Sequence, residues 1–216
     1  MRRVIFLRTA PYLYQLPGES LYESLDQIGL QEAQPNILKP SPETRETIGL
    51  ISRRVRSKRV LCSRLARSQE TARLFSADII IASELDEIKF SMKDFSKPDD
   101  LPGDDLDPER INKIRYNFSR ALICDQLNES REHIIERMLR FKDLIERNVA
   151  SETILCFSHG FIMKLYENFF RLNCQISDFE AVVSLYDWKK PPFKFLDGFV
   201  VLWQSGRFKV IDKWIS

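Results

Sequence analysis

The chain is short of the residues that metal and imidazole chemistry need: its 216 positions include two histidines, His133 and His159. Its four cysteines, Cys62, Cys124, Cys156 and Cys174, show no C-x-x-C spacing. With ligands that sparse a zinc site is not expected, and neither a metal nor any other cofactor is implied. Cys62 and Cys156 sit inside apolar runs and read as reduced core thiols of an intracellular protein. Long hydrophobic runs are missing too: the N-terminal one is about five residues, against the roughly 18 to 20 needed to cross a bilayer. A cytoplasmic protein with no membrane partner is the expectation. A block of one charge is also lacking, since the formal net charge is +2 although 30% of residues are charged. That excludes a dedicated nucleic-acid binder, and the most basic stretch, Ser52 to Arg59, reads as the solvated end of a helix leading into a strand. There is no internal repeat and no low-complexity tract.

A 44% hydrophobic content over this length is enough to bury one sizeable core. The expected organisation is a single domain over residues 1–216, with a cap or insertion at about 88–128. Three apolar runs of strand length, Arg3 to Leu7, Arg59 to Ser63 and Thr153 to Ser158, each precede a polar or helical segment, as parallel strands buried on both faces do. Between them lie helical patterns: Ile48, Ile51 and Val55 share one face, and Ile134, Met138, Phe141 and Ile145 another. The order predicts an α/β fold, a three-layer α/β/α sandwich around a mostly parallel central sheet. Lys93 to Arg110, rich in Pro, Asp and Gly, reads as an irregular excursion. Phe199 to Trp214 alternates and turns at Ser205-Gly206, as an edge hairpin does.

In an open parallel sheet, ligands gather beyond the carboxyl ends of the strands. The residues at those ends are Arg8 and Thr9 after the first run, Ser63 and Arg67 after the second, and Ser158, His159 and Gly160 after the third; Glu87 follows the short run Asp78 to Ala82. Each has an ordinary reading by itself: Arg8 paired with a strand-end carboxylate, Arg67 an exposed helix cation, Glu87 a loop charge, His159 a helix-start residue. Their convergence from four segments points instead to a phosphate pocket, with arginine forks matching phosphate oxygens and a glutamate positioned to trade a proton. His133, among charges in "ESREHIIERM", reads as a surface residue.

These stretches resemble the histidine phosphatase superfamily, the phosphoglycerate mutase-like phosphatases. "SRLARSQETA", Ser63 to Ala72, resembles the family signature at Ser63, Leu65, Arg67, Thr71 and Ala72. "LDEIKF" resembles the segment carrying the family's acidic residue, here Glu87, and "ILCFSHGF" resembles the strand followed by Ser-His-Gly, which puts the second pocket histidine at His159. Fainter similarities are "IGLQEA", "NES" (Asn128 to Ser130) and Gly198. The resemblance implies that Arg8, Arg67, His159 and Ser63 bind phosphate, and that Thr9, Glu87 and His159 occupy the catalytic places. It breaks at the opening strand, where the family has Arg-His-Gly and its nucleophilic histidine, and this chain has Arg8-Thr9-Ala10.

A neutral imidazole attacks phosphorus near pH 7 and its phosphoramidate is labile, whereas a threonine hydroxyl needs a strong base and would give a stable ester. The expected function is therefore that of a degenerate member, a pseudoenzyme that binds phosphate or a phosphorylated small molecule with absent or strongly reduced phosphomonoesterase activity. One alternative is an active hydrolase using water activated by Glu87, or His159 as nucleophile. Another is an interaction module whose segment Lys93 to Arg110 and basic stretch Arg53 to Arg59 engage a protein partner.

Overall fold

The computed structural model describes residues 2–12, 16, 19–55, 59–101, 108–147, 153–176, 179–184, 193–204 and 206–211. Along the chain lie β1 (Arg2–Arg8), α1 (Leu21–Gly29), α2 (Pro42–Arg54), β2 (Arg59–Cys62), α3 (Ala66–Arg73) and β3 (Ile80–Ile81). Three 3-10 turns follow at Ser83–Leu85, Met92–Asp94 and Pro98–Asp100, then α4 (Pro108–Ile123), α5 (Arg131–Arg147), β4 (Thr153–Ser158), α6 (Gly160–Arg171), α7 (Phe179–Ser184), β5 (Gly198–Gln204) and β6 (Arg207–Ile211).

The sheet order is β3-β2-β4-β1-β5-β6. The first four strands are mutually parallel, and β5 and β6 extend the sheet as an antiparallel hairpin. This is the mostly parallel α/β fold that the apolar runs predict. Alternation along the central strands explains the layers. Val4, Phe6, Ile154 and Cys156 face one core with side chains of α1, α4, α5 and α6, while Ile5, Leu7, Leu155 and Phe157 face a second core with Ile51 of α2 and Ala72 of α3. Phe6 anchors the first core, stacked on Phe199 at 4.6 Å between ring centroids and in contact with Phe141 and Tyr166 at 5.5 Å each. The short apolar run before Glu87 contributes the two residues of β3, at the sheet edge, with Ile80 and Ile81 exposed.

Register decides where the site falls. Arg8 lies opposite Ser158, and Cys62 opposite Phe157, so β1, β2 and β4 finish nearly level. Thr9, Ser63 and His159 are each the first residue beyond a strand end.

The late hairpin turns at Gly206, whose φ of 76° favours glycine; Ser205 and residues 212–216 of the expected hairpin lie outside the described residues. At the other end of β5, Gly198 is a matter of space. A Cβ there would lie 1.8 Å from the carbonyl oxygen of Phe6, which is backbone and cannot swing aside. Gly198→Ala is expected to destabilise the fold by about 3 kcal/mol, the upper end of ordinary overpacking. Urea unfolding of the variant checks this, and a midpoint equal to that of the parent chain would contradict the close approach.

The described residues after Glu87 are tied to α1 by hydrogen bonds. Asp26 of α1 accepts from the Ser91 hydroxyl and from Met92 N–H, both at 2.6 Å, and Tyr22 donates to the Ser96 carbonyl at 3.1 Å. One buried carboxylate thus tethers the segment to α1. Residues 102–107 of the excursion lie outside the described residues. The basic stretch ends α2 with exposed Arg53 and Arg54, and residues 56–58 of it lie outside them too.

Candidate functional site

Arg8 leaves β1 held by its backbone, with N–H to the Asp197 carbonyl at 2.9 Å and carbonyl to Leu196 N–H at 3.1 Å. Its guanidinium donates to the Phe193 carbonyl at 2.7 Å and lies 4.4 Å above the Phe195 ring. Thr9 extends the ladder by one bond, N–H to the Ser158 carbonyl at 3.2 Å. Its side chain is buried, and Oγ1 has no hydrogen-bond partner. A buried hydroxyl left so is costly and uncommon in a folded chain.

Arg67 stands in the first turn of α3 and is buried at 2% exposure. It is not the exposed helix cation that its sequence position alone would allow. No carboxylate of the described residues forms a salt bridge with it; its Nε has no hydrogen-bond partner, and its guanidinium lies 4.9 Å from the centre of the Tyr12 ring. Thr71 fixes the placement: its hydroxyl donates to the Arg67 carbonyl at 2.6 Å and accepts from Ala10 N–H at 2.9 Å, stitching α3 to the chain leaving β1. The signature residues Arg67 and Thr71 are therefore one mechanical unit with Arg8, Thr9 and Ala10.

Ser63 and His159 are joined directly, Oγ to Nε2 at 2.6 Å. Ser63 Oγ also accepts from Leu65 N–H at 3.2 Å, and its own proton is then free to go to Nε2, which leaves the ring proton on Nδ1. His159 is the N-cap residue of α6 and fully buried, and its pKa is held well below 6.5, first by desolvation and then by Arg67, Arg8 and Arg137. It is neutral at pH 7. An unfolded chain protonates this histidine below about pH 6.5 and the folded one resists, so stability is lost as pH falls through that value. We expect unfolding free energy to drop between pH 7 and pH 5 more steeply in the parent than in His159→Gln. Parallel denaturation curves for the two proteins would refute the assignment.

Glu87 follows the turn at Ser83–Leu85 and reaches the start of α6. It accepts from Phe161 N–H at 3.2 Å and Ile162 N–H at 2.9 Å, and from Ile88 N–H at 3.1 Å. Its carboxylate thus caps the helix whose own N-cap, His159, offers no side-chain bond. Burial raises its pKa, against the pull of these three donors and of Arg67. Glu129, of the "NES" stretch, turns out to be scaffolding: it pairs with buried Arg137 at 2.7 Å and accepts from Lys89 N–H at 3.1 Å. His133 is exposed and lies 3.3 Å from Glu129.

Arg8, Arg67 and Glu87 all line one cavity of about 330 Å³. Thus of the residues singled out from sequence, these three share the cavity, while Thr9, Ser63 and His159 are buried and are not among the described residues that line it. Sequence reasoning missed Tyr12, Arg115 and Phe161, which also line it. The helical spacing of Ile111, Ile114 and Phe118 was the available signal for the wall that α4 supplies. Among the described residues no group of three His, Cys, Asp or Glu is placed to hold a metal ion, and no helix is long and apolar enough to cross a membrane.

Solved structures share this architecture. Alpha-ribazole phosphatase from Shigella flexneri superposes with a TM-score of 0.58 at 16% identity, covering 98% of this chain and 95% of that one. A histidine-to-alanine mutant of Entamoeba histolytica phosphoserine phosphatase, in complex with phosphoserine, gives 0.58 at 14% identity, with coverage of 99% and 96%. A mycobacterial glucosyl-3-phosphoglycerate phosphatase gives 0.60 at 13% identity over the whole of both chains. No curated protein matches by sequence. A family model does, over residues 43–181, which take in Arg67, Glu87 and His159 and begin after β1, Arg8 and Thr9. By that match, over more than half of its length, the chain belongs to the histidine phosphatase superfamily, branch 1.

Proposed function

We propose that the chain binds a phosphorylated small molecule through Arg8 and Arg67 and hydrolyses it slowly or not at all. The observation that carries the reading is Arg67: a buried guanidinium without a carboxylate partner among the described residues, lining a cavity with a second arginine, is suited to an anion that arrives from outside. Thr9 supplies a hydroxyl that can donate to such an anion but is a poor nucleophile. Ser63 and His159 add a buried, hydrogen-bonded pair at the ends of β2 and β4, and residues 88–128 act as the cap within a single domain. That a fold relative which has lost a histidine is found with phosphoserine supports binding without that side chain.

Isothermal titration with inorganic phosphate, together with hydrolysis assays on p-nitrophenyl phosphate and a panel of sugar, nucleotide and peptide monoesters, tests this. Binding without appreciable turnover is expected. Vigorous hydrolysis that vanishes in Arg67→Ala would overturn the inactive reading.

A second reading rests on Glu87, whose carboxylate lines the same cavity with a raised pKa and is thereby suited to activating water or protonating a leaving group. His159 is less suited to attack phosphorus, with Nε2 held by Ser63 in the interior. Glu87→Gln retains an oxygen for the α6 cap and loses proton transfer. Any residual hydrolysis should fall by about 100-fold or more in this variant if Glu87 carries it, and persist if it does not.

A further inference from the structure

Building on the phosphate reading, we infer that the non-phosphate part of the ligand is apolar, an aryl or bulky alkyl alcohol, and that it lies against α1, α4 and the tethered segment after Glu87.

The cavity is polar only in patches. Among the described residues that line it, those other than Arg8, Tyr12, Arg67, Glu87 and Arg115 are glycines and apolar side chains, including Leu25 and Ile28 of α1, Phe90 and Phe95 of the tethered segment, and Ile114 of α4. Phe161, next to the α6 cap, completes the wall. The aromatic part is braced: Phe90 meets Phe95, Phe118 and Phe161 edge to face at 5.5, 5.4 and 5.9 Å, and Phe118 stacks on Phe161 at 4.1 Å. Such a wall is already formed before a ligand arrives and offers ring edges and faces to another ring.

The same wall is hostile to a sugar or a nucleoside. Each hydroxyl buried against it would forfeit a bond to water with few groups to replace it. A volume of about 330 Å³ accommodates a one- or two-ring group beside the phosphate. Gly29 contributes to this shape, since a Cβ there would meet the Phe90 ring at 2.4 Å and push the wall inward.

The test is titration calorimetry of the full chain with three probes: inorganic phosphate, 1-naphthyl phosphate and ribose 5-phosphate. Naphthyl phosphate should bind roughly 30-fold more tightly than phosphate, from burial of about 80 Å² of ring surface. Ribose 5-phosphate should bind no better than phosphate. Ile114→Gln and Leu25→Gln, on different helices, should each reduce the naphthyl-to-phosphate affinity ratio by about tenfold. Equal affinities for the three probes, or a preference for the sugar, would overturn the apolar assignment while leaving phosphate binding intact. Failure of all three to bind would instead overturn the phosphate reading, and this inference with it.

Discussion

Replacing Thr9 with histidine should raise phosphomonoesterase activity by about two to four orders of magnitude over the parent chain. On the proposed reading the substitution restores the reactive group, and it breaks no side-chain hydrogen bond, although at a buried position the larger ring has to push its neighbours toward the cavity. Thr9 holds its position through backbone N–H to Ser158, a bond any residue retains, and its hydroxyl has no hydrogen-bond partner to be missed. The two arginines need no rearrangement, because α3 is fixed to the chain beyond β1 by Thr71.

The introduced imidazole would share the cationic surroundings that, with desolvation, hold His159 neutral. Its activity should therefore persist to lower pH than that of an ordinary histidine before the acid limb sets in. Rate measurements with p-nitrophenyl phosphate from pH 5 to pH 8, and acid-labile phosphate trapped on the protein in a single turnover, check both parts. A variant that folds and binds phosphate yet gains no activity would mean that the pocket has diverged in more than one residue from what histidine-based transfer requires.

Much of this was legible before any coordinates. The apolar runs of β1, β2 and β4 are buried on both faces, and such strands announce themselves by continuous hydrophobicity. That Arg8, Arg67 and Glu87 line one cavity was foreseeable because a parallel sheet delivers its strand ends to one rim, so adjacency in space follows from topology. The roles of Glu87 and His159 were not legible. Sequence shows that a glutamate lies near a helix start, but not that its carboxylate accepts from backbone N–H groups of α6 and a neighbour. It shows a serine after β2 and a histidine after β4, but not a bond of 2.6 Å between them. The apolar wall was hidden because its pieces come from α1, α4 and the segment after Glu87, which Asp26 and Tyr22 of α1 tie down through Ser91, Met92 and Ser96. Such long-range anchoring leaves no local pattern.

Arg67→Met should make the protein more stable and nearly blind to phosphate. Arginine at 2% exposure, without a carboxylate partner among the described residues, carries a desolvation cost that a bound anion would offset. The Tyr12 ring at 4.9 Å returns part of it, about 1 kcal/mol or somewhat more. Methionine keeps a similar length, fills the space with apolar atoms and leaves the carbonyl bond to Thr71 in place. In phosphate-free buffer we expect a net gain of about 1 kcal/mol, a rise in Tm of roughly 2 to 4 °C for a chain of this size. Phosphate affinity should meanwhile fall about 100-fold, as loss of charged hydrogen bonds to an anion entails. The two effects make the ranking depend on the buffer: phosphate far above the parent's Kd lifts the parent's Tm by mass action and leaves the variant's nearly unchanged, narrowing or reversing the gap. Thermal melts with and without phosphate read this directly. If the variant melts lower in both buffers, Arg67 is a structural cation that the fold has already paired, and the anion site loses its principal support.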